Sequence, residues 1–185
     1  MAVKIFVDAG HGGSDPGALG NGVVEQYVNL SVATQLAELL REGGYEVREY
    51  RTTPTENVLS GKSADLTNRA RFANEWGADY FISIHTNSSP NPAANGFEAY
   101  VYRLGGEAQA LAESIVKAFT SRLGSKDNGV RSANFAVLRQ SRMPATLLEL
   151  GYLTNPTEAL NLNSPAWQTA AAEAIYNGIY NFVKP

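Results

Sequence analysis

Only two histidines occur in the 185-residue chain, and each stands where an apolar, strand-like run meets a loop: His11 after Ile5-Phe6-Val7-Asp8, His85 after Phe81-Ile82-Ser83-Ile84. Imidazole is the commonest protein metal ligand and carries protons near neutral pH. A lone histidine has a bland reading as a satisfied core or surface residue, but two at strand ends stand where ligands gather in open α/β sheets. Glu149 lies in Ala145-Thr146-Leu147-Leu148-Glu149-Leu150-Gly151, whose apolar flanks imply a central strand and a buried carboxylate. Such an ion needs a partner: an arginine, or a metal or its bound water. Beside a cation, burial gives a carboxylate the tunable pKa that a general base needs. Glu25, at the start of a helical stretch, is accounted for on position alone by the helix dipole.

Composition narrows the chemistry. With no cysteine there is no disulfide, thiolate site or thiol nucleophile, so any metal falls to His, Asp or Glu. A formal net charge of -3 gives no broad basic surface, which argues against nucleic acid or anionic membrane as the principal partner. No apolar run approaches the roughly 18 to 20 residues that span a bilayer, and the N-terminus lacks a signal peptide's pattern. The expectation is a soluble chain, either made in the cytoplasm and released by lysis or another export route, or excised from a longer secreted protein.

These residues need a scaffold, and hydrophobic periodicity supplies one. Lys4 to Asp8 reads as a buried strand ending at the turn Ala9-Gly10-His11-Gly12-Gly13. Val28, Val32, Leu36 and Leu39 mark a helix from Glu25 to Glu42, stopped by Gly43-Gly44. Tyr45 to Arg51 reads as a strand, Pro54 to Lys62 as a polar loop, and Asp65 to Trp76 as a helix. Tyr80 to His85 is a third strand, followed by a polar loop from Thr86 to Asn95, and Phe97 to Tyr102 a fourth. Leu111, Ile115 and Phe119 stripe another helix. Phe135 to Leu138 and Ala145 to Glu149 suit interior strands, and Ala171, Ile175, Ile179 and Val183 mark a closing helix. Without a repeat or linker, residues 1–185 read as a single α/β domain around a largely parallel sheet.

The ordered motifs resemble the zinc-dependent N-acetylmuramoyl-L-alanine amidases of the amidase-3 type, which include autolysins and phage endolysins. The likeness spans nearly the whole chain. It rests on Val7-Asp8-Ala9-Gly10-His11-Gly12-Gly13 with Asp15-Pro16-Gly17, on Glu25, on Arg69 and Asn74, and on Ser83-Ile84-His85-Thr86-Asn87. Gly96-Phe97-Glu98, Gly129-Val130-Arg131 and Leu148-Glu149-Leu150-Gly151-Tyr152-Leu153-Thr154-Asn155 complete it. The resemblance implies one zinc ion on His11, Glu25 and His85, with Glu149 as the catalytic carboxylate; it is this, and not spacing, that singles out Glu25. It also implies a twisted, mostly parallel sheet of about six strands flanked by helices on both faces, and peptidoglycan as the partner; a monomer is expected. The chemistry agrees, since two His and one Glu with a fourth position for water make a known catalytic zinc arrangement. Zinc there would acidify the water and polarise the lactyl carbonyl of N-acetylmuramic acid, with Glu149 taking the proton and returning it to the L-alanine nitrogen.

Around this core, Asp8 could orient His11 through its second ring nitrogen or bind amides of the turn. Asn87, Arg131 and Asn155 could contact glycan or peptide, or stabilise their loops. The interval from Asn87 to Gly96 is too short for the site-blocking helix that some periplasmic members carry, so an open cleft is expected. No cell-wall-binding module is expected in these residues. His-Glu-x-x-His, Gly-x-Ser-x-Gly and the P-loop Lys-Ser/Thr are absent. Ser114-Ile115-Val116-Lys117 fits Ser-x-x-Lys but lacks companion motifs. Two further readings remain: a zinc peptidase acting within the stem peptide, and a non-catalytic wall-binding module, against which the retained Glu149 argues.

Overall fold

The computed structural model describes residues 2–59 and 61–185, so Ser60, inside the expected polar loop 54–62, lies outside the described residues. Strands β1 (Lys4–Ala9), β4 (Glu46–Glu49), β5 (Tyr80–Asn87), β6 (Phe97–Val101), β7 (Asp127–Ser132) and β8 (Ala145–Tyr152) form one sheet in the order β4-β1-β5-β8-β6-β7. Every pairing is parallel except β6 with β8. The α/β reading with its six-stranded, mostly parallel sheet therefore stands.

Period-two alternation decides which layer each strand residue meets. Ile5, Val7, Ile82, Ile84, Leu148, Phe97 and Ala99 enter the larger core, roofed by helices α1 (Glu25–Glu42), α3 (Glu107–Leu123) and α6 (Pro165–Phe182). Phe6, Phe81, Ala145 and Leu147 face the smaller core under α2 (Lys62–Trp76) and α4 (Ala136–Gln140). Each fully buried Leu, Ile or Phe contributes about 1.5–3 kcal/mol by leaving water. Helices α3 and α6 approach so closely that a Cβ on Gly178 would lie 2.5 Å from the Ile115 Cα.

Helix α1 has the bounds read from sequence, and α5 (Pro156–Leu162) begins at Asn155, whose side chain accepts from the Thr157 and Glu158 amides. Three expectations are corrected. Residues 135–138 are not a strand: they begin α4, closed by the Arg139 amide bonding to the Phe135 carbonyl at 2.9 Å, with Val137 and Leu138 in the smaller core. A four-residue apolar run does not distinguish one helical turn from a strand. The third strand continues through Thr86 and Asn87, residues read as loop, because β8 pairs with it as far as Tyr152 across a register shift. Finally, β7 and the small hairpin of β2 (Leu19–Gly20) with β3 (Val23–Val24) were not anticipated.

Candidate active site

The parallel strands deliver their carboxyl ends to one edge, and the expected residues meet there. His11 follows β1 in the left-handed region (φ 59°), between Gly10 and Gly12, and the turn is closed by the Gly12–Asp15 bridge. Glu25, 3% exposed, opens α1. His85 lies near the end of β5. One ligating atom from each of the three falls within 4.8 Å of the others. The two imidazoles stand edge to face, 5.0 Å apart.

Glu25 is the hub. Its Oε1 lies 3.2 Å from His11 Nε2 and 3.0 Å from His85 Nδ1, and accepts from the Thr86 amide at 3.1 Å, while Oε2 accepts from the Ala18 amide at 2.8 Å. Burial pushes its carboxyl up, but hydrogen bonds and charge from His11 and His85 outweigh this and hold it well below the usual carboxylate range. Burial likewise pulls His11 down, and contacts with Glu25 and Asp15 reverse this to a net rise. Two glycines make room: a Cβ on Gly10 would lie 2.3 Å from the His85 ring, and one on Gly17 (φ 71°) 2.6 Å from Glu25 Oε2.

Asp15, not Asp8, orients His11, with its Oδ2 2.9 Å from His11 Nδ1. Asp8 is spent elsewhere, accepting from Arg69 Nη1 at 2.6 Å and from Ser83 Oγ at 2.7 Å. Asp8 shares the α2 side of the sheet with His85, but the buried Arg69 and Ser83 take its two oxygens.

Glu149 stands beside the trio, paired in register with His85 on one side and Glu98 on the other. Its Oε2 is buried and has no hydrogen-bond partner among the described residues. Burial first, then the charges of Glu25 and Glu98, push its carboxyl well above the ordinary range. Glu98, given no role from sequence beyond its motif, is 1% exposed. Its Oε1 accepts from Asn87 Nδ2 at 2.6 Å and Tyr152 Oη at 2.9 Å, and its Oε2 lies 3.4 Å from Arg131 Nη1. Alternation in Phe97-Glu98-Ala99 held the signal, a carboxylate facing the same side as Glu149. Of the three expected contact residues, Asn87 and Arg131 thus surround Glu98 and Asn155 caps α5. Ser114 donates to the Gly178 carbonyl at 2.7 Å, a helix-packing bond.

Residues 5–181 match the family model described as N-acetylmuramoyl-L-alanine amidase. The chain belongs to the amidase-3 family. The sporulation-specific N-acetylmuramoyl-L-alanine amidase of Bacillus subtilis (strain 168) is 37% identical over 182 residues, covering 96% of this chain and 67% of that protein. The catalytic domain of CwlV, an N-acetylmuramoyl-L-alanine amidase from Bacillus (Paenibacillus) polymyxa var. colistinus, superposes with a TM-score of 0.88 at 36% identity, covering 97% of each chain. The N-acetylmuramoyl-L-alanine amidase of Clostridium difficile 630 does so with a TM-score of 0.90 at 33% identity, covering 98% of this chain and 96% of that one. This amidase-3 chain is accordingly an enzyme, an N-acetylmuramoyl-L-alanine amidase, and the stem-peptidase and binding-module readings lose their footing.

Proposed function

We propose that one zinc ion is held by His11, Glu25 and His85, and that Glu149 moves the proton while water cleaves the amide between the lactyl group of N-acetylmuramic acid and L-alanine. The supporting observation is the convergence of three donors within 4.8 Å next to a buried, unpartnered Glu149 oxygen. The donor set fits the ion: two imidazoles and one carboxylate, with glycines at positions 10 and 17 where side chains would fill the space. Bound there, zinc supplies a Lewis acid for the carbonyl and lowers the pKa of water.

The chain's own residues do the rest. The Asp15 carboxylate favours the His11 tautomer with its proton on Nδ1, which leaves Nε2 free as a donor to the ion. Glu149, raised by burial, takes a proton from the attacking water as its oxygen bonds to the lactyl carbonyl carbon. The same carboxyl gives that proton to the alanine nitrogen as the C–N bond breaks, leaving a lactyl carboxylic acid, whose remaining proton ionises at neutral pH to the amine, and the stem amine. Asn87 and Arg131 lie around Glu98, and Arg131, more than half exposed, would meet the stem peptide. All the catalytic groups come from one chain, so a monomer suffices, acting on the bacterial cell wall. The test is metal uptake with turnover: one zinc per wild-type chain, none in His85→Ala, and in Glu149→Gln full zinc with turnover lowered about 10²–10⁴-fold. Full turnover in Glu149→Gln sinks the mechanism.

A further inference from the structure

Arg51 is 1% exposed, yet it makes no ion pair among the described residues. All its hydrogen bonds go to main-chain carbonyls: Nε to Ala9 at 3.0 Å, Nη2 to Gly10 and to Gln26 at 2.9 Å each, and Nη1 to Thr53 at 3.3 Å. Burying a guanidinium without a carboxylate is costly, so the arrangement calls for a reason. Burial and the neighbouring Arg69 push its pKa down to about 10, which leaves it cationic at neutral pH.

The choice of carbonyls supplies that reason. Ala9 and Gly10 lead directly into His11, and Gln26 follows Glu25, so one planar fork ties the His11 loop to the first turn of α1. Two other side chains pull the same way. Asn29 Nδ2 reaches the Gly10 carbonyl at 3.3 Å and Glu25 Oε1 at 3.2 Å. Arg69 donates to the carbonyls of Ala9 and His11, at 2.7 Å each. Residues held at positive φ, as His11 is, persist only where the surroundings over-determine them.

We propose that Arg51 is a positioning residue whose guanidinium sets His11 against Glu25 before any ion arrives, and so governs the affinity and coordination geometry of the metal site. The inference rests on the metal assignment above. Lysine keeps the charge but presents one compact ammonium, which cannot bridge carbonyls on two elements in the fixed geometry of a fork.

The experiment titrates zinc and cobalt(II) into wild type and Arg51→Lys by chelator competition, recording the visible spectrum of the cobalt protein and the thermal melt of each. Zinc binding in the variant is expected to weaken about 10- to 100-fold, as for other residues that orient ligands, with an altered cobalt spectrum. A folded variant with wild-type affinity and spectrum, losing only thermal stability, overturns the proposal. Wild type that takes up neither ion instead sinks the metal assignment itself. Should Arg51→Lys not fold, hydrogen exchange in wild type decides. The amides of Gly10, Gly12 and Gln26, bonded to Ile84, Asp15 and Pro16 carbonyls, are expected to be protected already without metal and to change less than about tenfold on loading. Protection that appears only with metal makes the ion, not Arg51, the organiser.

Discussion

Glu149 and Glu98 face each other across the antiparallel pairing of β8 and β6, two carboxyl groups each with a buried oxygen that accepts no hydrogen bond. Like charges this close raise the pKa of the group less well compensated. Glu98 has Asn87, Tyr152 and Arg131 around it, and Glu149 has none of them, so the rise falls on Glu149.

A base must be ionised to act, so kcat/KM falls as pH drops through the Glu149 pKa. Glu98→Gln keeps the shape and removes one like charge. The acid limb should therefore move to lower pH. The check is the pH profile on a soluble muropeptide; a limb that stays or moves upward contradicts the coupling.

Gly10→Ala places a methyl 2.3 Å from His85 Cε1 and Nε2, inside any normal contact. The His85 ring must turn away. Zinc affinity should drop at least about tenfold, with an overpacking cost of about 1–3 kcal/mol in the melt. Unchanged zinc affinity would show that His85 is not held where the site needs it.

Without metal, His11 and Glu25 stabilise each other, and the sign of each shift sets a window. Glu25 is lowered, so its contribution is present above 4.5 and lost as pH falls through the folded value. His11 is raised, so its contribution is full below 6.5 and lost as pH rises through the folded value. Both describe one charged pair, so the metal-free protein should gain most from it between those values and lose that gain on the alkaline side. Zinc replaces the proton and should remove the alkaline loss. Melting curves of both forms across pH test this, and a metal-free melt that rises with pH above 6.5 contradicts it.

Arg131 is more than half exposed, with its Nη1 3.4 Å from Glu98 Oε2. Arg131→Gln should raise KM for wall fragments with kcat within a few-fold, the pattern of lost uniform binding. A fall in kcat at constant KM would place Arg131 in the transition state.

Much of this was legible in the sequence, because the informative residues sit at strand ends and periodicity finds strands. His11, His85 and Glu149 stood out this way, and the helix carrying Glu25 had readable bounds, though Glu25 itself needed the family likeness. The misses have physical causes. Strand β7, Asp-Asn-Gly-Val-Arg-Ser, is a polar edge strand with a positive-φ glycine and no apolar alternation. The β2–β3 hairpin carried a usable Asn21-Gly22 signal, both residues at positive φ. Asp15 and Arg51 were invisible as functional residues because their roles arise from contacts that only the fold creates, one across the His11 turn and the other from Arg51 to carbonyls 25 and 41 residues earlier in the chain.

The most direct measurement is the chemistry of the ends released from purified bacterial cell walls by the zinc-loaded protein, with and without a chelator. New amino-terminal L-alanine, no new reducing sugar ends, and loss of both release and activity on chelation are the expected result. Release of other amino termini, or L-alanine release that persists when the metal is stripped, would contradict a zinc-assisted cut at the lactyl amide.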